Sequence, residues 1–410
     1  MIDVNIRKYP NGFELRYANV PLNTIRGSVV AEVGAGYEQP QEYGISHFVE
    51  HTVIRGGTTQ LSPQEATMIT SKLGYANAGT TARETVYIGQ FLPDDLDLYL
   101  RFVSDITHDA QFDPQIIEEE RKGIIAERGK ERNNPQSILL DGLYNAMFSK
   151  NPIRRNSNLA IIGPLENILA FGQSDLRQYH RRWTNRANST LYLMGPLPSG
   201  IGDKVGGYFC QHDEAFKPFE YEKEPLPSGI KRDGITRKGA ERTTVLMAWH
   251  VPPEEDYYNG IKLDMTAGVM GGDFTSGLLR ELRIKRGLVY SAGARYMSLF
   301  GQGLYFVGTD VEPGKEKNAE EAILDFIDKF QKGEVDREFF ERQQRRELFK
   351  QATAMDTPEH RFHMMQEEKR LGYDPLDKIK VINGLTVCDL QEASRHIDKG
   401  RYLFFTESPE

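Results

Sequence analysis

The chain has little cysteine, little tryptophan and no long apolar run. Its 410 residues include two cysteines and two tryptophans. Cys210 and Cys388 lie in opposite halves, so we expect two free, buried thiols rather than a disulfide framework. A membrane helix needs about 20 mostly apolar residues in a row. No such stretch is present and the mean hydropathy is -0.53, which excludes a membrane-spanning class.

The chain also lacks an excess of positive charge. Its net charge is -8 and its pI is near 5.7, which argues against nucleic acid as the natural partner. Basic pairs such as Arg154-Arg155 are too short to reverse this balance. The first residues follow a strand pattern, which predicts no signal peptide and, by default, a cytoplasmic location.

The most informative motif is the run from His47 to His51, with the pattern H-x-x-E-H. Residues four apart on a helix share a face, so both histidines can reach one metal ion, and Glu50 can lean toward it. Zinc held by two histidines and a carboxylate keeps a position open for water and lowers that water's pKa to about 7. A nearby carboxylate can then take the proton. The alternative is a pair of surface histidines on an amphipathic helix.

The flanking residues place the motif on a short helix. Residues 29–41 pass from an apolar strand through glycines and a proline, which is typical of a strand followed by a loop and a helix start. After the motif, Gly56 and Gly57 stand where glycine commonly ends a helix.

A third ligand is available from residues 112–128, which we predict to form a helix with Asp113 as N-cap and Pro114 in the first turn. Glu120 and Glu127 lie seven residues apart and therefore on one face. Isoleucines share roughly that side: Ile117, Ile124 and Ile125. A carboxylate on an apolar face is costly unless it is paired, and a metal would pair it. The alternative is two solvated glutamates on a charged helix.

The motif followed by Glu127 resembles the pitrilysin/insulinase family of zinc peptidases, which includes the mitochondrial processing peptidase. The resemblance implies that His47, His51 and Glu127 bind one zinc ion per protomer. It further implies that Glu50 is the catalytic base and that Glu120 orients a histidine. The residues after the motif, 52–57, are similar to the usual family version but lack its methionine and phenylalanine.

Two further stretches resemble parts of the same family. The stretch that begins at Asn77 resembles its edge strand beside the zinc, where Asn77 and Ala78 would pair with the substrate backbone. In the second half, Arg283 and Tyr290 are similar to the pair that holds substrate backbone and stabilises the oxyanion. The alternative for this pair is an ordinary charged helix that leads into a strand.

The two halves repeat one pattern. A strand that turns at proline into a helix at 96–106 recurs as a strand that turns at Pro313 into a helix at 319–330. We therefore predict an α+β fold of two similar sandwich domains, each an antiparallel-rich sheet covered by helices, related by duplication. The predicted boundaries are 1–216 for the zinc-binding domain, 217–231 for a linker, and 232–410 for the second domain.

The second domain is predicted to be a metal-free copy. When the helices are aligned, Gln343 stands opposite Glu120 and Lys350 opposite Glu127. The second half also has no H-x-x-E-H motif. A lysine cannot hold zinc, so this domain is expected to serve substrate binding or assembly.

Together these observations predict a zinc metalloendopeptidase that cleaves short or unstructured peptides, bound as an added strand. The resemblance implies a clamshell of two such chains, and we expect a homodimer in which Arg283 and Tyr290 act in trans. A heterodimer with a homologue that lacks the motif stays open. The alternatives are a non-catalytic assembly subunit and a peptidase dedicated to one precursor.

Overall fold

The computed structural model describes residues 3–210, 221–225, 227–272 and 276–410. These residues form two compact units, one from the described residues within 3–141 and 152–210, the other from those within 142–151 and 221–410. The predicted linker, 217–231, falls partly on residues 217–220 and 226, which lie outside the described residues. Its last residue, Lys231, is the first residue of a strand.

The first unit contains a mixed sheet and its covering helices. Its strands are β1 (Asn5–Lys8), β2 (Glu14–Asn19), β3 (Ile25–Ala31), β4 (Tyr75–Thr80), β5 (Thr85–Phe91) and β6 (Ser189–Gly195). Its helices are α1 (Ile45–Val53), α2 (Pro63–Lys72), α3 (Leu96–His108), α4 (Pro114–Glu131), the first half of α5 (Pro135–Met147), α6 (Asn158–Ile162), α7 (Leu165–Ala170), α8 (Gln173–Trp183) and α9 (Ile201–Phe209). Short 3-10 helices span Ala35–Tyr37, Pro40–Glu42, Pro93–Asp95, Pro152–Arg155 and Arg186–Asn188.

The second unit has the same kinds of element. Its strands are β7 (Lys231–Arg237), β8 (Thr243–Val251), β9 (Ala292–Leu299), β10 (Gln302–Val311) and β11 (Leu403–Pro409). Its helices are α10 (Tyr257–Gly271), α11 (Gly277–Leu279), a π-helical turn (Arg280–Lys285), α12 (Glu316–Gln331), α13 (Arg337–Asp356), α14 (Pro358–Leu371), α15 (Pro375–Gly384) and α16 (Val387–Ser394). The second half of α5 also belongs to this unit.

The two sheets share one topology. The strand order is β1-β2-β6-β3-β5-β4 in the first unit and β7-β11-β8-β10-β9 in the second. In the first sheet β2 and β6 are parallel and the other neighbours antiparallel. In the second, β7 and β11 are parallel and the other neighbours antiparallel. With β1 set aside, the sheets correspond strand for strand, which confirms the predicted α+β fold and its duplication.

Each unit has its own apolar core between the sheet and the helices. In the first unit Tyr99 of α3 lies flat against the sheet over Gly27 and Gly89, which are paired across β3 and β5. A Cβ atom on either glycine would come within 2.5 Å of the tyrosine ring. Glycine at these two positions therefore lets α3 approach the sheet closely.

Two expectations from composition can be checked. Cys210 and Cys388 are not joined in a disulfide, as predicted, but both are exposed, so the prediction of buried thiols was wrong. Cys210 follows the last turn of α9, and Cys388 lies on the outer face of α16, away from the buried Leu390 and Ala393. Within the described ranges, no helix is long and apolar enough to cross a membrane.

Candidate metal centre

Helix α1 carries the motif and is held by its apolar face. It begins after Gly44, whose φ of 96° lies in the left-handed region that favours glycine. Four apolar side chains along it are buried in the core of the first unit: Ile45, Phe48, Val49 and Val53. His47 and His51 lie one turn apart, with ring centroids 4.5 Å from each other. The chain thus presents both imidazoles from one face, as predicted.

Helix α4 supplies the carboxylates. Its N-cap is Asp113, whose side chain accepts hydrogen bonds from two first-turn N–H groups, and Pro114 follows, as the sequence predicted. Ile117 and Ile124 are buried and anchor one side of the helix. Glu120 and Glu127 emerge beside that side, partly buried, and face α1.

Three candidate ligand atoms converge between the two helices. Glu127 Oε2 lies 3.6 Å from His47 Nε2 and 3.5 Å from His51 Nε2. Zinc bonds of about 2.0–2.2 Å at a tetrahedral angle separate ligand atoms by about 3.4 Å, so these spacings fit a shared ion. Within the described part of the chain, this is the one group of three or more histidine, cysteine and acidic side chains close enough to hold a metal.

Ionisation of the histidines supports the same fit. Burial, together with the nearby His51, lowers the pKa of His47 to about 4. At neutral pH His47 is therefore uncharged, and its approach to Glu127 is not an ion pair. Burial also opposes the charge on His51, but Glu120, Glu127 and Glu50 raise its pKa to about 10. A cation between these groups would satisfy the carboxylates, and its binding would release the proton of His51.

Glu120 contacts the second histidine. Its Oε2 lies 3.2 Å from Nδ1 of His51, the ring nitrogen that faces away from Glu127. Its other oxygen is paired with Arg55, which also contacts Glu119 at 3.0 Å. A carboxylate on the far nitrogen of a metal-binding histidine fixes the ring and its tautomer. That Glu120 orients His51 stays a prediction from the resemblance, and this contact is compatible with it.

Glu50 stands beside the three ligand atoms without being one of them. Burial raises the pKa of its carboxyl group, while His51 and a hydrogen bond from Thr80 lower it in part. The Thr80 hydroxyl donates to Glu50 Oε2 over 3.2 Å. Thr80 was not singled out from the sequence, where a threonine at a strand end carries no distinctive signal.

Asn77 and Ala78 lie on β4, the last strand of the first sheet in the part of the chain that the structure describes. The N–H of Ala78 donates to the side-chain oxygen of Asn77 over 2.9 Å. The Asn77 amide nitrogen in turn donates to the hydroxyl of Tyr75 over 3.1 Å. The strand packs against α1 and carries Thr80 at its end, so an edge lies next to the candidate centre.

In the second unit, Arg283 and Tyr290 are brought together. Arg283 lies on the π-helical turn, and its guanidinium carbon is 4.8 Å from the centre of the Tyr290 ring. Tyr290 is 67% exposed, so much of the residue is accessible to a ligand. A guanidinium stacked on a phenol is a cation–π contact that can hold both donors in one place.

Helix α13 of the second unit carries no counterpart of the metal ligands. Gln343 donates to Glu347 over 3.0 Å, and Lys350 is paired with the same carboxylate. Here a lysine and a glutamate neutralise each other, so the positions aligned with Glu120 and Glu127 form an internal polar network.

The sequence of this chain matches two protein-family models and is similar to known proteins. Residues 19–158 match the family model described as Insulinase (Peptidase family M16), and residues 170–347 match the model described as Peptidase M16 inactive domain. An uncharacterized zinc protease of Rickettsia bellii is 25% identical over 314 residues, which cover 74% of this chain and 72% of that protein.

Two solved structures establish the fold. The structure of a protease from Helicobacter pylori matches with a TM-score of 0.88 at 19% identity and covers 100% of both chains. The periplasmic protease PqqL from Escherichia coli matches with a TM-score of 0.80 at 15% identity and covers 100% of this chain and 48% of that one.

Proposed function

This chain belongs to the insulinase family of peptidases, and we propose that it is a zinc metalloendopeptidase that hydrolyses short or unstructured peptides. The observation that carries the proposal is the convergence of His47, His51 and Glu127 beside the carboxylate of Glu50. Similarity to proteins named zinc proteases supports the same reaction class.

The zinc ion would be held by His47, His51 and Glu127, and when bound it would polarise the attacking water and the scissile carbonyl. Glu50 accepts the proton of that water as the oxygen attacks the carbonyl carbon. The same proton then passes to the leaving nitrogen as the C–N bond breaks. Burial of Glu50 favours this exchange, because a raised pKa suits a group that must both take and give a proton.

Peptide substrates are proposed to add to the open edge of β4. Main-chain hydrogen bonds would then supply affinity whatever the side chains are. An incoming carbonyl would compete with the side chain of Asn77 for the N–H of Ala78. A folded protein rarely offers an extended segment with free main-chain groups, which is the reason to expect short or unstructured peptides.

Arg283 and Tyr290 are proposed to donate hydrogen bonds to the oxyanion in the active site of a second protomer. The structurally similar Escherichia coli protease is about twice as long as this chain, which supports an assembly of two chains here. A homodimer is the simplest form, because one chain carries both the candidate ligands and the arginine–tyrosine pair. A heterodimer with a homologue that lacks the motif is the other form.

The proposal is tested with two variants of the native protein. Glu50→Gln should keep one zinc ion per protomer but lose at least about 100-fold in peptide cleavage, because an amide cannot accept the proton. His51→Ala should lose zinc and activity together. Elemental analysis and cleavage of an unstructured fluorogenic peptide measure the two properties. A native protein without zinc, or a Glu50→Gln variant as active as the parent, would refute the proposal.

A further inference from the structure

We propose that Glu38 is a positioning residue, which holds the N-terminal end of α1 from outside the helix and so sets the placement of His47. The inference rests on the proposed function, because it takes His47 as a metal ligand. Glu38 lies in the loop before α1, between two 3-10 turns, and its side chain is completely buried.

A cap from within the helix is sterically impossible here. The first N–H groups of any helix lack partners inside the helix and are usually capped by the side chain of the N-cap residue. In α1 that residue is Gly44. Its φ is 96°, and a Cβ atom there would come within 2.4 Å of the carbonyl oxygen of Ile162. The position therefore requires glycine, which has no side chain to offer.

Glu38 replaces the missing cap with a two-point contact. One carboxylate oxygen accepts the N–H of Gly44 over 2.8 Å, and the other accepts the N–H of Ser46 over 2.8 Å. Arg155 balances the charge, with a nitrogen 3.3 Å from the carboxylate. Two bonds from one rigid, planar group fix both the axial position and the rotation of the first turn. A negative charge at a helix N-terminus is also favoured by the helix dipole.

This contact is adjacent to the candidate ligand. Ser46, whose N–H is held by Glu38, directly precedes His47 in the chain. The Ser46 hydroxyl is in turn hydrogen-bonded to the hydroxyl of Tyr179 on α8 over 2.6 Å. The main chain and the side chain before His47 are thus both fixed, and His47 itself is buried. A shift of the first turn would move His47 relative to Glu127 on a different helix.

The arrangement carries an energetic cost, which distinguishes it from an ordinary surface cap. Burial raises the pKa of Glu38 to about 7, although Arg155 and the N–H groups of Gly44 and Ser46 favour the charged form. An exposed Ser, Thr or Asp cap would hold the helix without this cost. A buried carboxylate gives a cap with no freedom to move, which suits a helix that must present a ligand accurately.

The test compares Glu38→Gln and Glu38→Asp with the parent and with Glu42→Gln. Glu42 is a neighbouring carboxylate whose partners are Gln39 and Arg182, so it is a matched control. The readouts are Co²⁺ affinity by chelator competition, the visible absorption of the Co²⁺ complex, kcat and KM for a peptide, and thermal unfolding. Glutamine has one acceptor oxygen instead of two, and aspartate is one methylene too short to reach both N–H groups.

We expect Glu38→Gln to bind Co²⁺ about tenfold more weakly, with an altered absorption spectrum and a lower kcat at nearly constant KM. Glu42→Gln should match the parent. If Glu38→Gln unfolds earlier but binds Co²⁺ with parental affinity and spectrum, Glu38 is a stabilising cap only and the inference is wrong. Where the glutamine variant does not fold, Glu38→Asp decides by the same criteria. A parent protein that fails to bind Co²⁺ would instead refute the proposed function.

Discussion

Replacing Thr80 with valine isolates one hydrogen bond to the proposed base. Thr80 donates to Glu50 Oε2 over 3.2 Å, and valine keeps the shape of the side chain while removing the hydroxyl. That bond favours the charged carboxylate and opposes the effect of burial, which raises the pKa of Glu50. Without it, the pKa should rise further. Because Glu50 acts as a base only when ionised, the acidic limb of the activity profile should move to higher pH.

The size of the shift follows from the strength of the bond. A hydrogen bond to a charged group contributes about 1.5–3 kcal/mol, and one pKa unit corresponds to about 1.36 kcal/mol. The upper limit is therefore about two units. Glu50 is only partly shielded, and water can replace the lost donor, so we expect about 0.5–1 unit. At a pH below the acidic limb of both the parent and the Thr80→Val variant, this shift corresponds to about a three- to tenfold loss of kcat/KM.

The assay is kcat/KM for an unstructured peptide between pH 5 and 9, with zinc content measured in parallel. Thr81→Val is a matched control, because Thr81 bonds to the Glu84 backbone and not to Glu50. Thr80→Ser restores a hydroxyl and should restore the parental profile. If Thr80→Val lowers activity equally at every pH, the hydroxyl does not act through the ionisation of Glu50 and the reasoning fails.

Two further predictions concern assembly and acid stability. Mixing inactive Glu50→Gln protein with inactive Tyr290→Phe protein should regenerate about a quarter of parental activity, because half of the dimers are then mixed and each mixed dimer has one complete site. If subunit exchange is proven and no activity returns, Arg283 and Tyr290 do not act across a homodimer. Burial lowers the pKa of His180 to about 4, below its unfolded value of about 6.5. Its contribution to stability is therefore full above about pH 6.5. As the pH falls toward 4, the free energy of unfolding should decrease by about 3 kcal/mol. Urea unfolding of His180→Gln should show a flatter pH dependence than the parent over that range, and an equal slope would contradict the assignment.

Features that depend on local contacts were predictable from the sequence. Asp113 is the N-cap of α4, as expected, because a cap joins residues two or three positions apart, and Asp336 caps α13 in the same way. The histidines of α1 share a face for the same reason. The duplication was also visible, because a strand that turns at proline into a helix occurs in both halves of the sequence.

Features that depend on distant contacts were not predictable. Glu38 is an ordinary glutamate in a loop until the fold buries it against α1, and only the glycine at position 44 hints that the helix is capped from elsewhere. The return of Asn77 onto the N–H of Ala78 is likewise set by the strand's position at a sheet edge. The buried side chains of residues 142–151 gave no sign of which core they would join.

That segment has a consequence for how the protein can be made. Residues 142–151 precede the end of the first unit in the chain but belong to the second, where the Phe148 ring packs against His250 at 5.1 Å. On the ribosome, this segment emerges long before the strands that bury it. Its apolar residues, among them Leu143 and Phe148, therefore stay exposed until the strands of the second unit have been synthesised. If the gene were divided near residue 216, the first fragment would expose these apolar side chains and the second fragment would lack them in its core. We therefore expect a higher yield of soluble protein when the two fragments are co-expressed than when each is expressed alone.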